Sequence, residues 1–152
     1  MSELDNFLAE TLPRQIKAET AIHNGDVAPR LAMWSTHDPV SLFGAASGPA
    51  KTGTEDVTRV SRWIASKFSD CRSYDFELVA AGVSGDLAYT VGYERCTRSW
   101  EGGPPEEATL RVTHVYRRED GEWKIVHRHG DLPPVDQSPA ATRNSPATEA
   151  LR

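Results

Sequence analysis

The stretch LRVTHVYRREDGEWKIVHRHGD, Leu110 to Asp131, decides how this chain folds. Residues alternate in character on both sides of Asp120-Gly121. Asp-Gly between two alternating runs is a strong signal for a two-residue hairpin turn. Such a turn pairs Glu119 with Glu122, Arg118 with Trp123, Tyr116 with Ile125 and His114 with His127. Directly opposed residues share a sheet face. One face then carries Val112, His114, Tyr116, Trp123, Ile125, His127, His129 and Asp131. The other carries Arg111, Thr113, Lys124, Val126 and Arg128. The bulky apolar residues put the first set inward, and the histidines follow unless a bulge intervenes.

Working outward, the period of two extends back to Ser73. SYDFELVAAGV and LAYTVGYERCTRSW are two further strands, joined at Ser84-Gly85-Asp86, and EGGPP is the looser turn before the hairpin. Arg95 continues the face of Tyr89, Val91 and Tyr93, and so is expected to enter the same interior as the histidines. A buried arginine needs a carboxylate or a ligand anion. Upstream the period is helical. Leu4, Leu8, Leu12 and Ile16 recur every fourth residue with Phe7 and Ile22, interrupted by Pro13, where a kink or an early end is expected. Asn24-Gly25 stops this helix, and Asp26 caps a short one from Val27 to Trp34. Val40 to Phe43 reads as a short strand. TGTEDVTRVSRWIASKF is an amphipathic helix with Val57, Val60, Ile64 and Phe68 on its apolar stripe, joined by Trp63.

The order of elements gives an α+β domain: N-terminal helices packed on a strongly curved antiparallel sheet that encloses a pocket. The domain covers residues 1–131. Residues 132–152, rich in Pro, Ala, Ser and Thr, form a tail expected to be disordered. The net charge of -5 and pI near 5.5 argue against nucleic acid. No apolar run has the length of a membrane span, and the first residues lack the pattern of a signal peptide. Cys71 and Cys96 are far apart and in no metal or redox spacing, which fits a cytoplasmic protein with free thiols. Nothing in the sequence asks for a cofactor.

The chain resembles the nuclear transport factor 2-like superfamily, and within it the SnoaL-like and ketosteroid-isomerase-like branch. The resemblance runs from about residue 5 to 131. It rests on IHNGD at the end of the first helix, the Trp34 and DPVSLFG segment, TEDVTRVSRWIASKF, and the hairpin. It implies a cone-shaped fold around a pocket, dimeric through the outer side of the sheet. By similarity to ketosteroid isomerase, HDPV offers Asp38 as a general base. By similarity to the association domain of calmodulin-dependent protein kinase II, Arg95, His114 and VHRH correspond to a pocket that takes small anions.

Three readings follow. In the first, Asp38, His127 or His129 moves a proton on a small carbonyl or carboxylate compound, as an isomerase, cyclase or lyase would. In the second, Arg95, His114 and His127 grip a small anion without catalysis. In the third, His114, His127 and His129 hold a metal. Trp34, Phe43, Trp63, Tyr93 and Asp131 complete the expected pocket wall, and a homodimer is the expected assembly.

Overall fold

The computed structural model describes residues 1–46 and 48–134. The expected tail lies almost wholly outside these residues. Helix α1 runs Glu3–Ile22, α2 Ala28–Met33 and α3 Thr54–Lys67. The strands are β1 Ser41–Phe43, β2 Lys51–Thr52, β3 Phe68–Ser84, β4 Leu87–Trp100, β5 Glu106–Glu119 and β6 Glu122–Asp131. They form one sheet in the order β2-β1-β6-β5-β4-β3. The four long strands are antiparallel as expected. The sheet is nevertheless mixed, because β1 joins the edge of β6 in parallel. No helix among the described residues is long and apolar enough to cross a membrane.

Helix α1 starts in a capping box between Ser2 and Asp5 and continues through Pro13 without ending. Its buried face is Phe7, Thr11, Gln15, Ala18, Glu19 and Ile22. The four-residue row ending at Ile16 runs beside that face, and Ile16 is exposed. Gly25, at φ +88°, takes the chain out of the helix. Asp26 then accepts a hydrogen bond from the Ala28 amide at the start of α2. Helix α3 buries Val57, Val60, Ser61 and Ala65, while Trp63 is largely exposed. No side chain of its own N-cap residue, Gly53, caps it. The Asp38 carboxylate accepts from the Thr54 amide at 2.9 Å instead.

One end of the sheet holds the apolar core. Phe7 meets Tyr116 and Trp123 edge-on at 5.1 and 5.2 Å, with Trp34, Val57 and Ile125 in the same cluster. Towards the other end the inward side chains become polar. That change coincides with a break in register.

Candidate functional site

The hairpin pairs as the turn dictates from Glu119↔Glu122 to Tyr116↔Ile125. Then Val126 bulges out, and the next pairs are Val115↔His127, His114↔Arg128 and Thr113↔His129. A bulge adds one residue to one strand, and with a period of two that exchanges the faces of everything beyond it. His114 stays inward, fully buried, but its partner is Arg128, not His127. His127, His129 and Asp131 turn to the outer face. This corrects the expected inward set. The bulge falls where β6 changes neighbours. Ser35 donates its amide to the Ile125 carbonyl, whereas Ser41 of β1 pairs with His127.

A second correction concerns β4. Its buried residues are Ala88, Thr90, Gly92, Glu94, Cys96 and Ser99, so Tyr93 and Arg95 face outward. Arg95 lies over the Tyr93 ring and 3.6 Å from Glu77. The inward arginine is Arg128. Asp131 is held bidentately by Arg111 at 2.7 and 2.8 Å. Phe43 stands edge-on to both His127 and His129, and the Ser41 hydroxyl meets His127 Nδ1 at 2.7 Å. Trp34 belongs to the core and Trp63 to the surface of α3, near Trp100. Asp38 is exposed at the start of α3. The metal reading fails on the same geometry, since His114 and the His127–His129 pair lie on opposite faces of the sheet. Among the described residues no cluster of three metal-ligating side chains exists.

The interior instead holds a charged network. Arg128 donates to both Glu94 carboxylate oxygens, at 2.7 and 3.3 Å, and lies 3.8 Å from Glu19. Arg30 of α2 binds the same Glu19 oxygen at 3.1 Å. Tyr74 donates to Glu94 and receives a hydrogen bond from Gln15. Glu19, Arg30, Glu94 and Arg128 are each at most 5% exposed. Burial by itself would push the Glu94 carboxyl up. The charge and hydrogen bonds of Arg128, with the Tyr74 hydroxyl, outweigh burial and hold it at about 2. Glu94 is therefore fixed as an anion and makes a poor base.

His114 supports Arg128 from below. An arginine can only donate, so His114 Nε2, 3.0 Å from Arg128 Nη1, carries the lone pair. Its Nδ1 proton then faces the Tyr116 hydroxyl at 3.3 Å. Burial first, and the Arg128 charge second, hold its pKa well below the usual value.

Above this network is a cavity of about 220 Å³. It is smaller than the roughly 300–1,000 Å³ of drug-sized sites. Leu42, Ile64, Phe68, Ala108 and Leu110 give it apolar walls, and Glu19, Arg30, Glu94 and Arg128 its polar floor. Three further groups reach it. His23, one turn after Glu19, gives its Nδ1 proton to the Glu19 carbonyl at 2.6 Å, which leaves the lone pair on Nε2. Burial lowers its pKa, against the pull of Glu19, so the ring is neutral at neutral pH. Cys96, its thiol pushed up to about 11 by burial, lies 3.9 Å from that Nε2. Arg98 lies over the Phe68 ring, and its buried Nε has no hydrogen-bond partner among the described residues. Glu106 faces Arg98 in the ladder without forming an ion pair.

Of the candidate site residues read from the sequence, only His114 belongs to this network, through Arg128, and it does not line the cavity itself. Glu19, His23, Arg30, Glu94, Arg98, Cys96 and Arg128 were not among them. One signal was available: Gln15, Glu19 and His23 follow at four-residue spacing along α1 and its C-terminal cap, polar groups where an apolar row is the norm.

The SnoaL-like domain profile matches residues 17–135. A search of the curated proteins gives no match. Among solved structures, an NTF2-like family protein from Streptomyces avermitilis is similar at 22% identity and TM-score 0.69, covering 86% of this chain and 99% of that one. An NTF2-like protein from Cytophaga hutchinsonii aligns at 20% identity and TM-score 0.63, over 87% and 99% of the two chains. One of unknown function from Pseudomonas putida aligns at 24% and 0.61, over 86% and 89%. These likenesses establish the fold, an α+β cone of helices on a bent sheet. The matched profile makes this chain a member of the SnoaL-like domain family, with the fold of NTF2-like proteins.

Proposed function

We propose that this chain binds a small organic anion with an apolar body in the cavity between α1 and the sheet. Arg98 carries the reading. Three guanidinium groups line the cavity against two carboxylates, which leaves one positive charge. Arg30 and Arg128 are engaged by Glu19 and Glu94, while Arg98 has no ion pair among the described residues. A carboxylate on the ligand would answer it, and the apolar walls would cover the rest. Calorimetric titration with hexanoate tests this. Arg98→Met is expected to weaken binding by roughly one to two decades, the scale of a hydrogen bond to a charged group. Arg95→Met, on the outer face, is expected to change nothing. Equal effects from the two variants would refute the reading.

A second reading, an enzyme of isomerase, cyclase or lyase type, draws on His23. A neutral ring with its lone pair at the cavity wall suits removal of a proton next to a carbonyl, and Arg98 would hold the oxyanion. Incorporation of solvent deuterium into a bound 2-oxo acid, lost in His23→Gln, is the expected sign. A cytoplasmic location fits the two unpaired thiols. We also propose a homodimer through the outer sheet face, where Leu87 and Tyr89 are exposed.

A further inference from the structure

The walls of the cavity differ in what they ask of a ligand. On the α1 side the available groups are acceptors. Glu19, 2% exposed, has one oxygen, Oε1, engaged by Arg30 at 3.1 Å and approached by Arg128 at 3.8 Å. Its other oxygen, Oε2, is buried and has no donor among the described residues. One turn on, His23 presents Nε2 as an acceptor, because Nδ1 gives its proton to the Glu19 carbonyl. The Cys96 thiol, a weak donor, lies 3.9 Å from that Nε2. On the β4 side the available group is a donor, Arg98, with its unpartnered buried Nε.

A simple carboxylate answers Arg98 and leaves Glu19 Oε2 unsatisfied. A buried acceptor without a donor is costly, so a ligand that brings one is favoured over one that does not. Two donors are chemically available, a hydroxyl and an ammonium. Arg30 and Arg128 already balance Glu19 and Glu94, so an ammonium there would add a buried positive charge with no free carboxylate to meet it. A neutral hydroxyl meets no such penalty. From these positions we infer that the cavity selects a hydroxycarboxylate: its carboxylate on Arg98, its hydroxyl donating to Glu19, its hydrocarbon chain against the apolar wall. This rests on the anion-binding reading above and narrows it to one ligand class.

The test compares hexanoate with 2-, 3-, 4- and 5-hydroxyhexanoate by calorimetry on the full chain, so that the unknown spacing between the two polar ends is sampled. At least one hydroxy isomer is expected to bind roughly tenfold to a hundredfold tighter than hexanoate, the scale of a hydrogen bond to a charged acceptor. The amino acid bearing an ammonium at that same carbon is expected to bind more weakly than the hydroxy acid. In Glu19→Gln the hydroxyl advantage is expected to fall to within about threefold. If that variant does not fold, the comparison on the unaltered chain still decides. Should hexanoate bind and no hydroxy isomer improve on it, Glu19 is served by solvent and the inference fails while the anion site stands. If an amino acid binds best, the ligand class is wrong. Failure of hexanoate and all four isomers to bind overturns both.

Discussion

Replacing Arg128 by Met should destabilise the protein by about 3 kcal/mol or more at neutral pH. The magnitude comes from Glu94. A fully buried carboxyl with an ordinary value of 4.5, held at about 2, contributes about 3 kcal/mol of stability above its unfolded value. The general cost of breaking a buried ion pair, about 3–5 kcal/mol, agrees with this. Methionine keeps an unbranched apolar stem in place of that of arginine, so most of the loss comes from the guanidinium. The sign with pH follows from the direction of the shift. A depressed carboxyl stabilises above the unfolded value and loses that contribution as pH falls towards the folded value. In the variant, burial raises the same carboxyl with no cation to oppose it. The difference in stability between the two proteins should therefore be largest near pH 7 and shrink towards pH 3. Thermal unfolding across that interval measures it. At about 4 °C per kcal/mol for a domain of this size, a fall of at least about 12 °C is expected at pH 7. A fall of under about 4 °C, or a difference independent of pH, would refute the account of the network.

His114 provides a separate acid sensitivity. Its depressed pKa means that folding loses stability as pH drops below 6.5, by about 1.4 kcal/mol per pH unit while the folded ring stays neutral. His114→Gln should reduce that slope by one proton, and an unchanged slope in urea unfolding would count against it. Asp38→Ala should cost about 1 kcal/mol through the lost cap on α3 and leave ligand affinity unaltered. Loss of binding in that variant would return Asp38 to the site. Sedimentation at micromolar concentration should give twice 16.7 kDa, and a species of 16.7 kDa alone would refute the dimer.

Local chemistry in the sequence determined the helices, the four long strands and the hairpin turn. Asp120-Gly121 sets its own pairing through backbone preference, and the pairs from Glu119 to Tyr116 follow by counting. The Asn24-Gly25 stop and the stripe of α3 are local in the same sense. The bulge at Val126 has no such local cause. It lies where β6 passes from Ser35 to the parallel β1, and it turns Arg128 towards Glu94 of β4 and Glu19 of α1, which lie 34 and 109 positions away in sequence. A buried guanidinium flanked by two carboxylates can form only once α1, β4 and β6 are assembled. Because the side-chain period of a strand is two, that one extra residue exchanged His127 and His129 for Arg128 in the interior. The sequence carried the cone and its hairpin; the identity of the groups facing the cavity was decided by tertiary contact, since the energy that fixes the bulge comes from partners distant along the chain.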